Sequence, residues 1–381
     1  MRRRDLLRMG LAGWAAGASA DPLRGRALTG ALLAPLGGKD LPFDRMAGQI
    51  VRALRPRRDE RVMLRYDPTS LPGLLPEVER QLQRTEAVVA SLRYGPAENF
   101  DAKLAQTDIY IWLPASRGPS GATPGDQAAA LVRWLDAGRG RQIHFHWSDG
   151  TRDVDSANGD HTAEYDQVYL DALGIDYVAL DRKMDEAISK LRGAEVRVTS
   201  RAGTDLRFRL GDRPVCKQNG DASRERMQSA RVRIDREIEL PAGAIRVAPL
   251  EESVKGRIAI PRAEISGVPV RGIELKFEKG EITGIDAALG KEAIRRTITA
   301  NPALGHFREF ALGMNPKLIK PDGLRWIPYY GYGAGVVRLS LGDNEELGGA
   351  VRGGAVRWFF FPDTKVTVGN DILVKDGKLV G

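Results

Sequence analysis

Short apolar runs alternate with segments of helical period along the first half of this chain. Arg61-Val62-Met63-Leu64-Arg65-Tyr66 is rich in β-formers and stops at Asp67-Pro68. From Leu74 to Val89 the apolar residues recur at helical spacing, and Val88 to Leu92 starts a second strand. Asn99 to Ala105 reads as a short helix. Asp108 to Leu113 reads as a buried strand ending at Pro114. Pro124 to Gly138 has proline near its start and glycine at its stop, the signature of a helix, and Gln142 to Trp147 is another strand. Strands alternating with helices predict a parallel, doubly wound α/β sheet. Tyr165 to Leu191 is helical with a break near Gly174. From Val196 the pattern turns to β, with a hairpin over Ala202 to Phe208 and a last one from Ile372 to Val380 turning at Asp376-Gly377. The expected architecture is an N-terminal α/β domain over residues 41–192, then a β-rich C-terminal domain over 193–381.

Composition narrows the function classes. Hydrophobic content of 42% is enough for a packed core in 381 residues. The net charge of +8 is spread among acids without a long basic block, so a solvated basic surface is expected and nucleic-acid binding is not. No apolar run reaches the roughly 18–20 residues of a membrane span. Cys216 is the only cysteine, which excludes an internal disulfide and a thiolate metal cluster. Residues 1–40 stand apart. Arg2-Arg3-Arg4 precedes Leu6-Leu7 and a mild apolar run from Met9 to Ala20, and Ala18-Ser19-Ala20 offers a small-residue cleavage site. This pattern predicts a twin-arginine export signal and a periplasmic protein, with a cytoplasmic location as the alternative if the signal is not used.

The C-terminal half carries a set of spaced motifs. They are Pro241-Ala242-Gly243-Ala244 with Ala248-Pro249 after it, Glu309-Phe310-Ala311-Leu312-Gly313, Gly335 to Gly342, and Arg357-Trp358-Phe359. Their order and spacing resemble the aminopeptidase T / aminopeptidase S family of metallopeptidases. Ala202-Gly203-Thr204-Asp205-Leu206, after a long helix, resembles that family too. The resemblance implies an aminopeptidase T-type fold, a homodimer, and a site where two glutamates, two histidines and an aspartate hold two divalent metals. Such metal pairs generate hydroxide near neutral pH. Of those ligand positions the chain keeps Glu309. Ala244 stands at the first glutamate, Arg338 and Arg357 at the histidines, and Phe359 at the aspartate. A methyl, a phenyl and two always-protonated guanidiniums offer a metal no lone pair. Glu251 and Glu252 follow Ala244 too distantly to replace it.

The resemblance therefore implies a degenerate member with no catalytic residue, no bound metal and no cofactor at this site. The expected constellation is Glu309 with Arg338 and Arg357, receptive to a peptide or an anionic small molecule, or else closed as an ion pair. The alternative is an active metal-dependent aminopeptidase or hydrolase with a rebuilt site. His144-Phe145-His146 supports that alternative, because two imidazoles two residues apart share one face of a strand. Asp149, Asp153 and Asp155 follow and could complete a site. Tyr329-Tyr330-Gly331-Tyr332-Gly333 is an aromatic, glycine-rich stretch that could line a pocket. No phosphate-loop or nucleophile-elbow pattern occurs.

Overall fold

The computed structural model describes residues 40–114, 125–147, 150–152, 155–158, 163–320 and 326–380. The expected signal at Arg2-Arg3-Arg4, its cleavage point, Asp149 and Asp153 lie outside them.

The first half is a parallel sheet with helices on both faces. Its strands are β1 (Arg61–Tyr66), β2 (Val88–Arg93), β3 (Ile109–Trp112) and β4 (Arg141–Phe145). The helices are α1 (Phe43–Leu54), α2 (Leu74–Gln83), α3 (Phe100–Ala105), α4 (Gly125–Asp136), α5 (Ala163–Leu173) and α6 (Tyr177–Gly193). Alternation along β1 and β3 sorts the two faces. Val62, Leu64, Ile109 and Ile111 bury one face, in one cluster with Met46 and Ile50 of α1, Val78 of α2 and Tyr169 of α5. Met63 and Tyr110 bury the other against Phe100, Leu104, Leu131 and Trp134 of α3 and α4. The period-3.6 stripe Met46, Ala47, Ile50, Ala53 and Leu54 identifies α1, an element the sequence reading passed over.

The fifth strand of this sheet comes from beyond the expected boundary at 192/193. Glu237–Leu240 pairs in parallel with β4, Glu237 opposite Gln142 and Glu239 opposite His144. Residues 41–192 thus supply only four of the five strands, and the sheet order is 237–240, β4, β3, β1, β2.

The C-terminal half stacks two antiparallel sheets. One runs in the order Val356–Phe361, Val337–Gly342, Phe307–Gly313, Ala244–Val247, Cys216–Gln218. The other has eight strands, among them Val196–Thr199, Asp205–Phe208, Lys255–Ile265 and Val268–Glu278. Between them lies an apolar core that includes Ile245, Val247, Phe310, Leu312, Leu339 and Phe359 from the first and Val198, Phe208, Ile258, Ile260 and Leu275 from the second. The closing hairpin turns at Asp376 and Gly377, both at positive φ, as a two-residue turn of that twist needs. Among the described residues no helix is long and apolar enough to cross a membrane.

Gly313 ends the central strand where the 331–333 backbone passes over it. A Cβ there would lie 2.1 Å from the Gly333 carbonyl oxygen and 2.5 Å from that of Gly331. Gly313→Ala is expected to cost about 1–3 kcal/mol through backbone displacement. Gly193→Ala, with nothing within 4 Å, should change the urea midpoint little. Equal midpoints for the two variants would contradict this packing.

Candidate functional site

The five-stranded antiparallel sheet has one apolar face and one polar face. Ala244 and Arg246 point to the polar face, while Ile245 and Val247 enter the core. By the same alternation Glu309 and Ala311 share the polar face, with Arg338 opposite Ala311 and Ser340 opposite Glu309. A bulge between Phe307 and Glu309 lets Phe307 stay in the core while Arg308 also reaches the polar side.

There Glu309 is fully buried and saturated. Its Oε1 accepts from Arg246 Nε at 2.5 Å and from Arg338 at 3.0 Å. Its Oε2 accepts from Ser340 at 3.3 Å, and Arg308 Nε lies 3.5 Å away. Several of the remaining guanidinium donors also find partners, while Arg308 Nε and Arg338 Nε are buried without a hydrogen bond among the described residues. Arg246 donates to Glu346 at 3.1 Å, Arg338 to the Tyr330 carbonyl at 3.3 Å, and Arg308 to Glu346 and the Asp343 carbonyl. Burial alone would raise the pKa of Glu309, but Arg246, Arg338 and Arg308 outweigh it and hold the carboxyl far below the usual range. The same carboxylate pushes Arg246 and Arg338 up against their own burial.

Arg357 is not part of this cluster. Its register partner is Leu341, and it projects with Leu341 and Phe359 toward the opposite face, where the three line a small apolar cavity. Its guanidinium lies against the Phe359 ring and donates to the Glu264 carbonyl. The polar face of that strand carries Trp358 and Phe360 instead, opposite Ser340 and Arg338. The expected convergence of Arg357 and Phe359 on Glu309 is therefore corrected: in a strand, a one-residue difference in register moves a side chain to the other face. Val356-Arg357-Trp358-Phe359-Phe360-Phe361 gives no alternation from which that register could be read. Glu251 is engaged by Arg213, Asn344 Nδ2 and the Ala350 amide, away from Glu309, and Glu252 is exposed. Arg246, Arg308 and Glu346 belong to the cluster but were not singled out from the sequence. Arg246 had a readable signal, since it lies two residues after Ala244 and so on the same strand face.

A second polar group lies beside the cluster, on the parallel sheet. His144 and His146 face the same side, and His146 continues the ladder by donating its amide to the Leu240 carbonyl at 2.8 Å. Glu239, paired with His144 by register, brings a carboxylate to them. The ligand atoms of His144, His146 and Glu239 lie within 4.8 Å of one another. Glu237 Oε1 stands 3.4 Å from His144 Nδ1. Burial lowers the pKa of His144 to about 4, against a rise from the charge of Glu346. Burial, with His144 beside it, also lowers that of His146. Both rings are neutral at physiological pH. Burial first, then the charges of Glu239 and Glu346, raise that of Glu237.

The loop after residue 328 joins the two groups. Tyr332 donates its hydroxyl to Glu239 Oε2, and Arg338 lies 5.7 Å from the Tyr332 ring centroid. Tyr330 contacts the His146 ring at 5.6 Å and the Trp358 ring at 5.2 Å. Tyr330 and Tyr332 thus form a buried bridge between the sheets.

The family model described as thermophilic metalloprotease (M29) matches residues 178–325. Over that segment the chain is similar to the thermophilic metalloproteases. Wild-type AmpT from Thermus thermophilus superposes with a TM-score of 0.60 at 16% identity, over 89% of this chain and 99% of that one. The 2,5-dihydroxypyridine dioxygenase from Pseudomonas putida KT2440 superposes with 0.59 at 17% identity, over 89% and 97%. No curated protein matches the sequence. The fold is of the aminopeptidase T type, and one of the two structures sharing it is named for a different chemistry, so function has to be argued from the side chains.

Removing the Glu309 charge leaves three buried guanidiniums facing one carboxylate. Glu309→Gln is expected to cost about 3–5 kcal/mol in urea unfolding at pH 7. The folded-state pKa is depressed, so this contribution is complete above the ordinary value of 4.5 and is lost as pH falls from there through the folded value. The gap between wild type and Glu309→Gln should therefore hold from pH 7 to about 5 and narrow only below. A gap that vanishes by pH 6 would refute the pairing.

Proposed function

We propose that this chain is a peptidase-related protein that does not hydrolyse peptides through a two-metal centre. One observation carries the reading: both oxygens of Glu309, the one retained ligand position, are taken by Arg246, Arg338, Arg308 and Ser340. A metal there would meet protonated guanidiniums in place of imidazoles. It would also have to break ion pairs whose loss strands buried charge. Ala244, fully buried in the same face, offers nothing in return.

Glu309 and Glu346 take most of the cluster's donors, leaving Arg308 Nε and Arg338 Nε without a hydrogen bond among the described residues, so it works as a fixed ion-pair clamp rather than an open cradle. Three guanidiniums against two carboxylates leave a positive surplus, which favours a peptide or other anionic ligand binding beside the clamp. The proposal includes export directed by Arg3 and Arg4 and assembly as a homodimer, as the aminopeptidase T resemblance implies. If export uses that pair, replacing Arg3 and Arg4 by lysine keeps the charge and should leave the precursor in the cytoplasm. Unchanged export of the lysine variant would remove that part.

The central test is hydrolysis of leucyl- and alanyl-p-nitroanilide by full-length purified protein, with added zinc, cobalt or manganese and metal analysis alongside. No turnover above buffer is expected, and no second equivalent of metal. Two equivalents per chain, with chelator-sensitive cleavage that Glu309→Gln abolishes, would overturn the proposal.

A further inference from the structure

We infer that His144, His146 and Glu239 form a mononuclear site for a divalent transition metal of the zinc class, separate from the Glu309 position. The inference stands independently of the function proposed above. It begins with backbone geometry. His144 and His146 are two residues apart on one extended segment, so both imidazoles leave the same face of the parallel sheet. The parallel register sets Glu239 beside His144, and the three donor atoms come within 4.8 Å of one another. Bonds of about 2.1 Å at the tetrahedral angle set ligand atoms about 3.4 Å apart. Side-chain rotations that move each donor atom by about 1 Å or less close the difference.

The surrounding residues are arranged as metal ligands require. Glu237 Oε1 lies 3.4 Å from His144 Nδ1, so Nδ1–H can donate to a carboxylate while Nε2 is presented to the ion. Gln142 in turn donates to Glu237 and fixes it. Tyr332 donates to Glu239 Oε2, which orients the carboxylate and leaves Oε1 as the ligand. Each of these partners acts on a ligand through the atom the ion does not use.

Charge points the same way. Glu237 and Glu239 lie on one face of one strand, 4% and 6% exposed, and among the described residues neither forms an ion pair with a lysine or arginine. A buried carboxylate calls for a cation or a proton. Two imidazoles and one carboxylate select zinc, cobalt or iron(II) over magnesium and calcium, which prefer all-oxygen shells. Three protein ligands leave at least one position for water or a small ligand, with Trp112 and Tyr330 packed against the histidine rings.

The test is cobalt(II) and zinc(II) binding to full-length, chelator-stripped protein, read by metal analysis after dialysis and by cobalt d–d absorption. One equivalent per chain is expected, with the absorption of nitrogen-ligated cobalt. His146→Ala and Glu239→Gln should each weaken binding by at least a hundredfold. Tyr332→Phe, which keeps the ring, should weaken it about tenfold, as losses of such supporting hydrogen bonds do. Glu309→Gln should leave it unchanged, which separates this site from the former two-metal position. A wild-type protein that binds no cobalt, a folded His146→Ala variant that binds as tightly as wild type, or binding lost only in Glu309→Gln would each overturn the assignment. Should His146→Ala fail to fold, the Tyr332→Phe affinity decides: an unchanged value overturns the site.

Discussion

A carboxylate held at 0% exposure among three guanidiniums is the constraint around which this molecule is built. Desolvating Glu309, Arg246, Arg308 and Arg338 together would be prohibitive if any one charge lacked a partner. Each partner arrives on a different stretch of chain: Arg246 on one strand, Arg308 and Glu309 on the next, Arg338 and Ser340 on a third, and Glu346 from the turn beyond. The register of those strands is therefore fixed twice. Phe310, Leu312 and Leu339 fix it from the apolar face, and the ion pairs fix it from the polar one. A slip of one residue would bury charges in the core and expose the core to the charges.

On the function proposed above, the same cluster is what lets an aminopeptidase T-type backbone persist with arginines around Glu309. Two dications at a carboxylate-rich centre would contribute large positive charge. Guanidiniums supply positive charge to the retained glutamate without needing lone-pair donors around them. The strands, the bulge at Arg308 and the glycine-lined approach of the 331–333 loop can all stay in place.

The parallel sheet and the β-rich half are one construction rather than two units in series. Glu237–Leu240 completes the parallel sheet, and a few residues later Ala244–Val247 joins the antiparallel one. Glu239 and Arg246 therefore lie on a single short segment, one beside the histidines and one beside Glu309. Tyr330 and Tyr332 cross between them. The two polar groups share a buried compartment because one stretch of chain belongs to both sheets.

Much of the architecture was legible in the residue pattern. The strand–helix alternation from Arg61 to Trp147, the break near Gly174 and the Asp376-Gly377 hairpin are local signals, and local signals survive into the fold. The motif spacing also brought Ala244, Glu309 and Arg338 to one face, because residues of fixed register on paired strands must share it. What the sequence could not decide were the facts that depend on pairing between distant segments. Six consecutive bulky residues, Val356 to Phe361, carry no period, so only the partner strand settles that Trp358 and Phe360 face the cluster and Arg357 does not. His144 and His146 could be seen as a pair, but Glu239 is 93 residues beyond His146 and reaches them only through a parallel strand pairing. Side-chain type and local period are written in the chain. Which distant carboxylate meets which imidazole or guanidinium is decided by sheet register, and only the packed tertiary structure sets that.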